Sequence, residues 1–252
     1  GSGTAGIGIG NLFSQALVDI GIPESDARKK CWFVDSKGLV VKSRDDLSLG
    51  KLLFAQDHKQ VKNLLEIVNQ IKPTILIGVS GKANSFDKKI ISSMNSFNKR
   101  PIIFALSNPT SNSECTAKQV YKWTQGRGIF ASGSPFEPVI IKEKKFIPSQ
   151  GNNVYIFPGV GLGVLLAGVV KIPDSLFITA AKKLSDLMSQ DELSKGLLYP
   201  SLNRIRSVSR SIAIEVYKKA MNDGIATKII EGDIKEFVDK KMYSPNYKKY
   251  ED

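Results

Sequence analysis

Few sequence features restrict a fold as tightly as a glycine-rich turn that opens a helix, and this chain starts with one. Gly1-Ser2-Gly3-Thr4-Ala5-Gly6 reads G-x-G-x-x-G and runs directly into Ile7, Ile9, Leu12, Phe13, Ala16, Leu17 and Ile20. These apolar residues recur at intervals of three and four, the period of one helix face. A loop of this kind suits a dinucleotide. Gly1 permits a tight turn, Gly3 lets the backbone approach a pyrophosphate, and Gly6 lets the helix pack closely. The helix N-terminus offers free N–H groups and the positive end of its dipole. The alternative is a purely structural glycine turn. After the turn Gly21-Ile22-Pro23 comes Cys31-Trp32-Phe33-Val34-Asp35, a short apolar segment ending in an acid. It predicts a second strand with a ribose-holding carboxylate at its tip. Asp35 lies 29 residues beyond Gly6, further than the roughly 20 usual for that fingerprint.

The fingerprint needs a strand before its first glycine, and neither a strand nor an initiator Met precedes Gly1. The expectation is therefore that residue 1 is not the natural start. On this reading the chain is the C-terminal part of a longer protein and lacks the first strand of its sheet.

Beyond residue 57 the pattern alternates. Val61, Leu64, Leu65, Val68 and Ile71 predict an amphipathic helix stopped by Lys72-Pro73, and Thr74 to Val79 is a continuous apolar run. Such a run predicts a parallel strand covered on both faces. A helix over 87–97, a strand at 101–106, a helix over 115–124 capped near Thr116 and a strand at 128–132 follow. Residues 139–150 read as a hairpin or loop excursion, and the remainder is helical. This predicts an α/β fold: a Rossmann-type, doubly wound, mostly parallel sheet with C-terminal helices. The expected domains are a nucleotide-binding domain over 1–172 and C-terminal helices over 173–252. Ligands of such sheets bind beyond the carboxyl ends of the strands. Asp35, Val79-Ser80-Gly81, Asn108 and Gly133 all fall there.

Composition narrows the function. The net charge of +12 raises the question of nucleic acid, but the lysines are scattered, with no basic helix and no interleaved aromatics. They read as solvated surface that favours anionic ligands. The apolar run from Val154 to Val170 is interrupted by Pro158, Gly159, Gly161, Gly163 and Gly168. It reads as a buried glycine-rich helix, not a membrane span. Cys31 and Cys115 are too few for a disulfide framework and suit reduced thiols in an intracellular compartment, whether cytoplasm or mitochondrion.

Among polar candidates, Asn108 sits between a strand end and a proline. It reads either as an Asx turn or as an amide donor to a ligand carboxylate or nicotinamide. The adjacent amides Asn152 and Asn153 suit a carboxylate and a carboxamide. His58, the single histidine, reads as a surface or capping residue, and Asp45-Asp46 as a helix or turn cap. No catalytic base and no metal-binding acidic group stands out.

Four blocks carry a specific resemblance: Trp32-Phe33-Val34-Asp35-Ser36-Lys37-Gly38-Leu39, Arg100 to Thr110, Phe130 to Phe136, and Gly151 to Gly159. With similarity extending through Gly196 to Pro200 and on to Met242-Tyr243-Ser244, essentially the whole chain resembles the C-terminal, nucleotide-binding half of a malic enzyme. The resemblance implies oxidative decarboxylation of (S)-malate to pyruvate and CO2, a divalent metal (Mg2+ or Mn2+), and a homo-oligomer, dimer or tetramer. It places the phosphate loop at Gly1, Ser2, Gly3, Thr4, Ala5 and Gly6 and the ribose acid at Asp35. It also assigns Asn108 and Asn152 to the substrate and Asn153 to the nicotinamide. The family's catalytic Tyr and Lys and its metal-binding carboxylates fall upstream of the glycine loop. Two other readings stay open, a different two-domain dehydrogenase and a nucleotide-binding module without chemistry.

Asp35 argues for NAD, because a carboxylate repels a 2′-phosphate. Ser36, Lys37 and Lys51 argue the other way, and resemble residues of the NADP-using malic enzymes. Lys51 is either ordinary surface charge or a phosphate contact. The expectation is NADP, with NAD as the alternative.

Overall fold

The computed structural model describes residues 1–243. Ser244, the last residue of the family resemblance, lies outside the described residues. The chain divides into two compact units. The first is Gly1–Asn152 with Gln190–Leu198, and the second takes Asn153–Ser189 and the chain from Tyr199 on.

In the first unit, helix α1 (Thr4–Val18) starts directly after its N-cap Gly3, as the glycine loop predicts. Helix α2 (Glu24–Lys29) follows. The segment expected as the second strand of the main sheet takes another role. Within it only β1 (Val34–Asp35) is paired as a strand, antiparallel with β2 (Gly38–Leu39). Gly38 has φ +106, and a side chain there would press on the Val61–Lys62 backbone, so the hairpin depends on that glycine. Leu39, Val41, Val61 and Ile67 then form a small core of their own.

Helix α3 (Leu49–Leu52) is a single turn, and α4 (Leu64–Ile71) is capped by Asn63 and ends at Lys72 in the left-handed region. The main sheet joins β3 (Ile75–Gly78), β4 (Ile102–Ala105), β5 (Ile129–Ser132) and β8 (Ser149–Gln150) in that order, all parallel. Helix α5 (Lys88–Phe97) carries its N-cap on Asp87. Helix α6 (Ala117–Trp123) has a full capping box of Thr116 and Gln119. Ile103, Ala105 and Phe130 lie on one sheet face and share a core with Ile91, Val120 and Tyr121. β3 stands at the edge of this sheet; its first residue, Ile75, is 36% exposed, whereas Leu76 packs into two core clusters and Gly78 is buried. The hairpin expected within 139–150 is β6 (Val139–Ile141) with β7 (Lys144–Phe146). Its last residues re-enter the sheet as β8.

The second unit is helical: α7 (Phe157–Ala167), α8 (Asp174–Asp186), α10 (Ile205–Asn222) and α11 (Ile234–Lys241). The short α9 (Gln190–Ser194) belongs to the first unit. Gly159 and Gly163 lie one turn apart on α7. Side chains there would press on Ile212 and Val216 of α10, so the glycines allow the two helices to approach closely. Val160, Val164, Leu176, Ala180, Val208 and Ile212 fill the core between these helices. No helix among the described residues is long and apolar enough to cross a membrane.

Candidate functional site

The site is built from loops that follow the parallel strands. The glycine loop closes first. A Cβ on Gly1 would lie 2.9 Å from the Val79 carbonyl oxygen, just beyond β3, and one on Gly6 would overlap the Gly1 carbonyl. Gly3, by contrast, has nothing within 4 Å of its missing side chain. The loop is therefore packed tight at Gly1 and Gly6 and open at Gly3, where a phosphate has room to approach. The first turn of α1 holds no acid and its N-cap supplies no side-chain cap, which leaves the leading N–H groups to a ligand. The Ser2 hydroxyl in this loop is buried with no hydrogen-bond partner among the described residues. These features fit a pyrophosphate.

Beside this loop stands an ionic net around Asp35. Arg44 grips the carboxylate with two nitrogens, Nη1 to Oδ1 at 2.9 Å and Nη2 to Oδ2 at 3.0 Å. Lys51 Nζ donates to Oδ2 at 2.6 Å and the Lys37 backbone N–H to Oδ1 at 2.9 Å. Arg44 also holds Asp46, which pairs in turn with Lys37 at 2.7 Å. Burial opposes ionisation of Asp35, but the hydrogen bonds from Arg44, Lys51 and the Lys37 N–H prevail and hold its carboxyl at about 2. The hydrogen bonds to Asp46 and Asp35 push the Arg44 guanidinium further toward its charged form. Asp46 is thus an ion-pair partner of Arg44 and Lys37, not a helix cap. Lys51 is not ordinary surface charge, since its side chain is only 23% exposed. Within this net three cations, Lys37, Arg44 and Lys51, face two carboxylates. Gly50, next to Lys51, sits against Ile7 of α1, which sets the net beside the glycine loop. Ser36 is exposed at the tip of the β1–β2 hairpin.

The next loops are tied by an acid that the sequence does not advertise. Glu114 is fully buried. Its carboxylate accepts from Ser107 Oγ at 2.5 Å, from Ser80 N at 3.1 Å, from Ser80 Oγ at 3.3 Å and from Ser107 N at 3.4 Å. Gly81 N donates to Ser107 Oγ at 2.8 Å. Ser80-Gly81 after β3 and Ser107-Asn108 after β4 are thereby held side by side. Gly133, after β5, lies under the Asn108 side chain: a Cβ there would stand 2.7 and 2.9 Å from the two amide atoms. Gln150 donates to the Gly133 carbonyl, and Gly151 N to Ser132 O, which brings Asn152 to the same sheet edge. Asn153 opens the second unit as the first residue of a 3-10 turn.

The structure thus gathers the glycine loop, Val79, Ser80, Gly81 and Asn108 along one edge, with the Asp35–Lys51 net beside the glycine loop. Arg44, Glu114, Ser107 and Ser134 belong to it as well. His58 lies away from it, its Nδ1 2.8 Å from the Lys59 carbonyl and its ring edge-on to Trp32. Burial pushes both cysteine thiols up, away from nucleophilic use. Among the described residues no group of three His, Cys, Asp or Glu side chains is placed to hold a metal ion.

A family model described as "Malic enzyme, NAD binding domain" matches residues 1–221. The chain belongs to the malic enzyme family. This malic enzyme chain is 49% identical over 249 residues to the human "NADP-dependent malic enzyme, mitochondrial", covering 98% of its own length and 41% of that protein. It is 47% identical over 253 residues to the "NADP-dependent malic enzyme, chloroplastic" of Zea mays, covering 99% and 40%. The chain therefore spans about two fifths of these curated relatives. The crystal structure of Entamoeba histolytica malic enzyme shares its fold, with a TM-score of 0.69 at 21% identity, over 90% of this chain and 43% of that one. A second, from Pyrococcus horikoshii, has a TM-score of 0.60 at 23% identity, over 90% and 48%. The Rossmann-like parallel sheet of this malic enzyme chain is thus the family's nucleotide-binding part.

Proposed function

We propose that this chain is the nucleotide-binding part of an enzyme that oxidatively decarboxylates (S)-malate to pyruvate and CO2, with NADP as the hydride acceptor. The observation that carries the cofactor choice is the engagement of Asp35 by Arg44 and Lys51. An unpaired carboxylate at this position would select a ribose hydroxyl and reject a phosphate. Neutralised by two cations, it no longer repels a 2′-phosphate, and Lys51 and Lys37 add charge-assisted donors.

The glycine loop holds the pyrophosphate on the α1 N-terminus. The loops after β3 and β4 hold the nicotinamide end, and Asn108 and Asn152 donate to malate carboxylates; the family resemblance alone assigns Asn153 to the nicotinamide. The bound nicotinamide supplies the hydride acceptor, and the protein's part is to hold it against the substrate carbon. The family resemblance assigns the Mg2+ or Mn2+ and the proton-transferring groups to residues upstream of the glycine loop in the full-length protein. That protein is proposed to act as a dimer or tetramer.

The test is malate- and metal-dependent formation of NADPH by the full-length protein, measured beside residues 1–252 alone. Activity in the full-length protein and none in the segment supports the reading. Robust activity of the segment alone, or none in the full-length protein, overturns it.

A further inference from the structure

We propose that Ser134 is a positioning residue that fixes the polarity of the Asn108 amide, so that the site presents an N–H donor to a ligand carboxylate. This deepens the malic enzyme reading and rests on it. An asparagine amide is nearly symmetric in shape, and half a turn about its last bond exchanges donor and acceptor. A substrate-binding asparagine therefore discriminates between a carboxylate and a carboxamide only if something fixes which end faces the ligand.

Ser134 Oγ lies 2.6 Å from Asn108 Oδ1. That separation suits an O–H···O bond and is short for an N–H···O bond, whose usual range starts at about 2.7 Å. The hydroxyl therefore donates to the amide oxygen, and Nδ2 is the end left for a ligand. The amide lies over Gly133, where a Cβ would crowd both of its terminal atoms. Ser134 is itself held in place. Ser132 Oγ donates to the Ser134 carbonyl at 2.8 Å, Gly133 N to Ala105 O at 3.2 Å and Gln150 Nε2 to the Gly133 carbonyl at 3.2 Å. The loop after β5 thus acts on ligand choice through the loop after β4, and the ligand class it selects is a carboxylate.

The experiment uses the full-length enzyme as wild type, Ser134→Ala and Ser134→Thr. It measures kcat and KM for malate and the inhibition constants of malate's monoamides. Once the amide is free to rotate, it can turn Oδ1 toward the ligand, and a carboxamide N–H can donate to that oxygen. For Ser134→Ala the expected result is a KM for malate raised about tenfold with kcat changed less, as for loss of one oriented hydrogen bond. The preference for malate over its monoamides should shrink by a similar factor, and Ser134→Thr should restore both. A raised KM with an unchanged preference means that Ser134 only packs, and overturns the inference. So does an alanine variant that matches wild type. Both outcomes presuppose a wild-type enzyme that oxidises malate. A wild type without that activity overturns the malic enzyme reading, and this inference with it.

Discussion

Lys51 Nζ lies 2.6 Å from Oδ2 of Asp35, the same oxygen that Arg44 Nη2 reaches at 3.0 Å. One carboxylate is thus shared between a buried guanidinium and a partly exposed ammonium. The guanidinium is almost completely buried, with its side chain 4% exposed. In the NADP complex proposed above, Lys51 would turn toward the 2′-phosphate while Arg44 continues to balance the charge of the ionised Asp35.

Lys51→Gln should therefore lower the ratio of kcat/KM for NADP over NAD in the full-length enzyme. A charge-assisted contact of about 1.5–3 kcal/mol corresponds to roughly 10- to 100-fold. Activity with NAD should hold or rise, because Asp35 is then freer to accept from a ribose hydroxyl. An unchanged ratio, or a wild type that prefers NAD, would remove Lys51 from cofactor selection.

The Asp35 net also sets an acid limit. The carboxyl is held at about 2, below its ordinary 3.8. A depressed carboxyl contributes stability that is present above its unfolded value and lost as pH falls through the folded one. The Tm of the full-length protein should therefore fall between about pH 4 and pH 2. Asp35→Asn should be less stable at pH 7 and show a shallower loss in that window, read by thermal scans across the pH series. Equal slopes for the two proteins would count against the net.

Glu114→Ala should destabilise the fold strongly, because it strands the Ser80 and Ser107 donors in a buried place. Each orphaned group costs about 1–3 kcal/mol. Over several groups the Tm should drop by many degrees, at roughly 2–4 °C per kcal/mol for a domain of this size. A Tm within a degree of wild type would show that the two loops hold together without the acid.

The glycines of α1 should separate by role. Gly3→Ala meets open space, so Tm should stay unchanged while the Kd for NADP, read by fluorescence titration of the full-length protein, rises. Gly10→Ala would press its methyl to 2.6 Å from Phe33 Cζ. It should cost about 1–3 kcal/mol of stability through overpacking. The opposite ranking would mean that Gly3 serves the turn and not the ligand.

What the sequence discloses is local pattern. The glycine loop, α5 and α6 with their caps, and the apolar strands β3 to β5 all announce themselves through period or run length. β8 does not, because its two residues, Ser149 and Gln150, carry no apolar signal and join the sheet only through pairing with β5. The segment ending at Asp35 reads as a long strand, yet Gly38 turns it back into a two-residue hairpin. Arg44 and Glu114 sit in polar stretches that look like surface. Their burial comes from partners distant in sequence, Asp35 for one and Ser80 for the other, and no spacing rule reports such a meeting.

Gly78 ends β3 opposite Ala105, and a Cβ on it would overlap the Glu114 carboxyl group. The strand has in effect ceded the volume of one side chain to an acid 36 positions further along the chain. Change at these two places is therefore coupled. A lineage that enlarged residue 78 first would pass through a misfit, with strand and loop competing for the same space. One that first shortened residue 114 would lose its loop tether before gaining anything in return. Neither single step is neutral, so the glycine and the glutamate here form one packing unit divided between two positions.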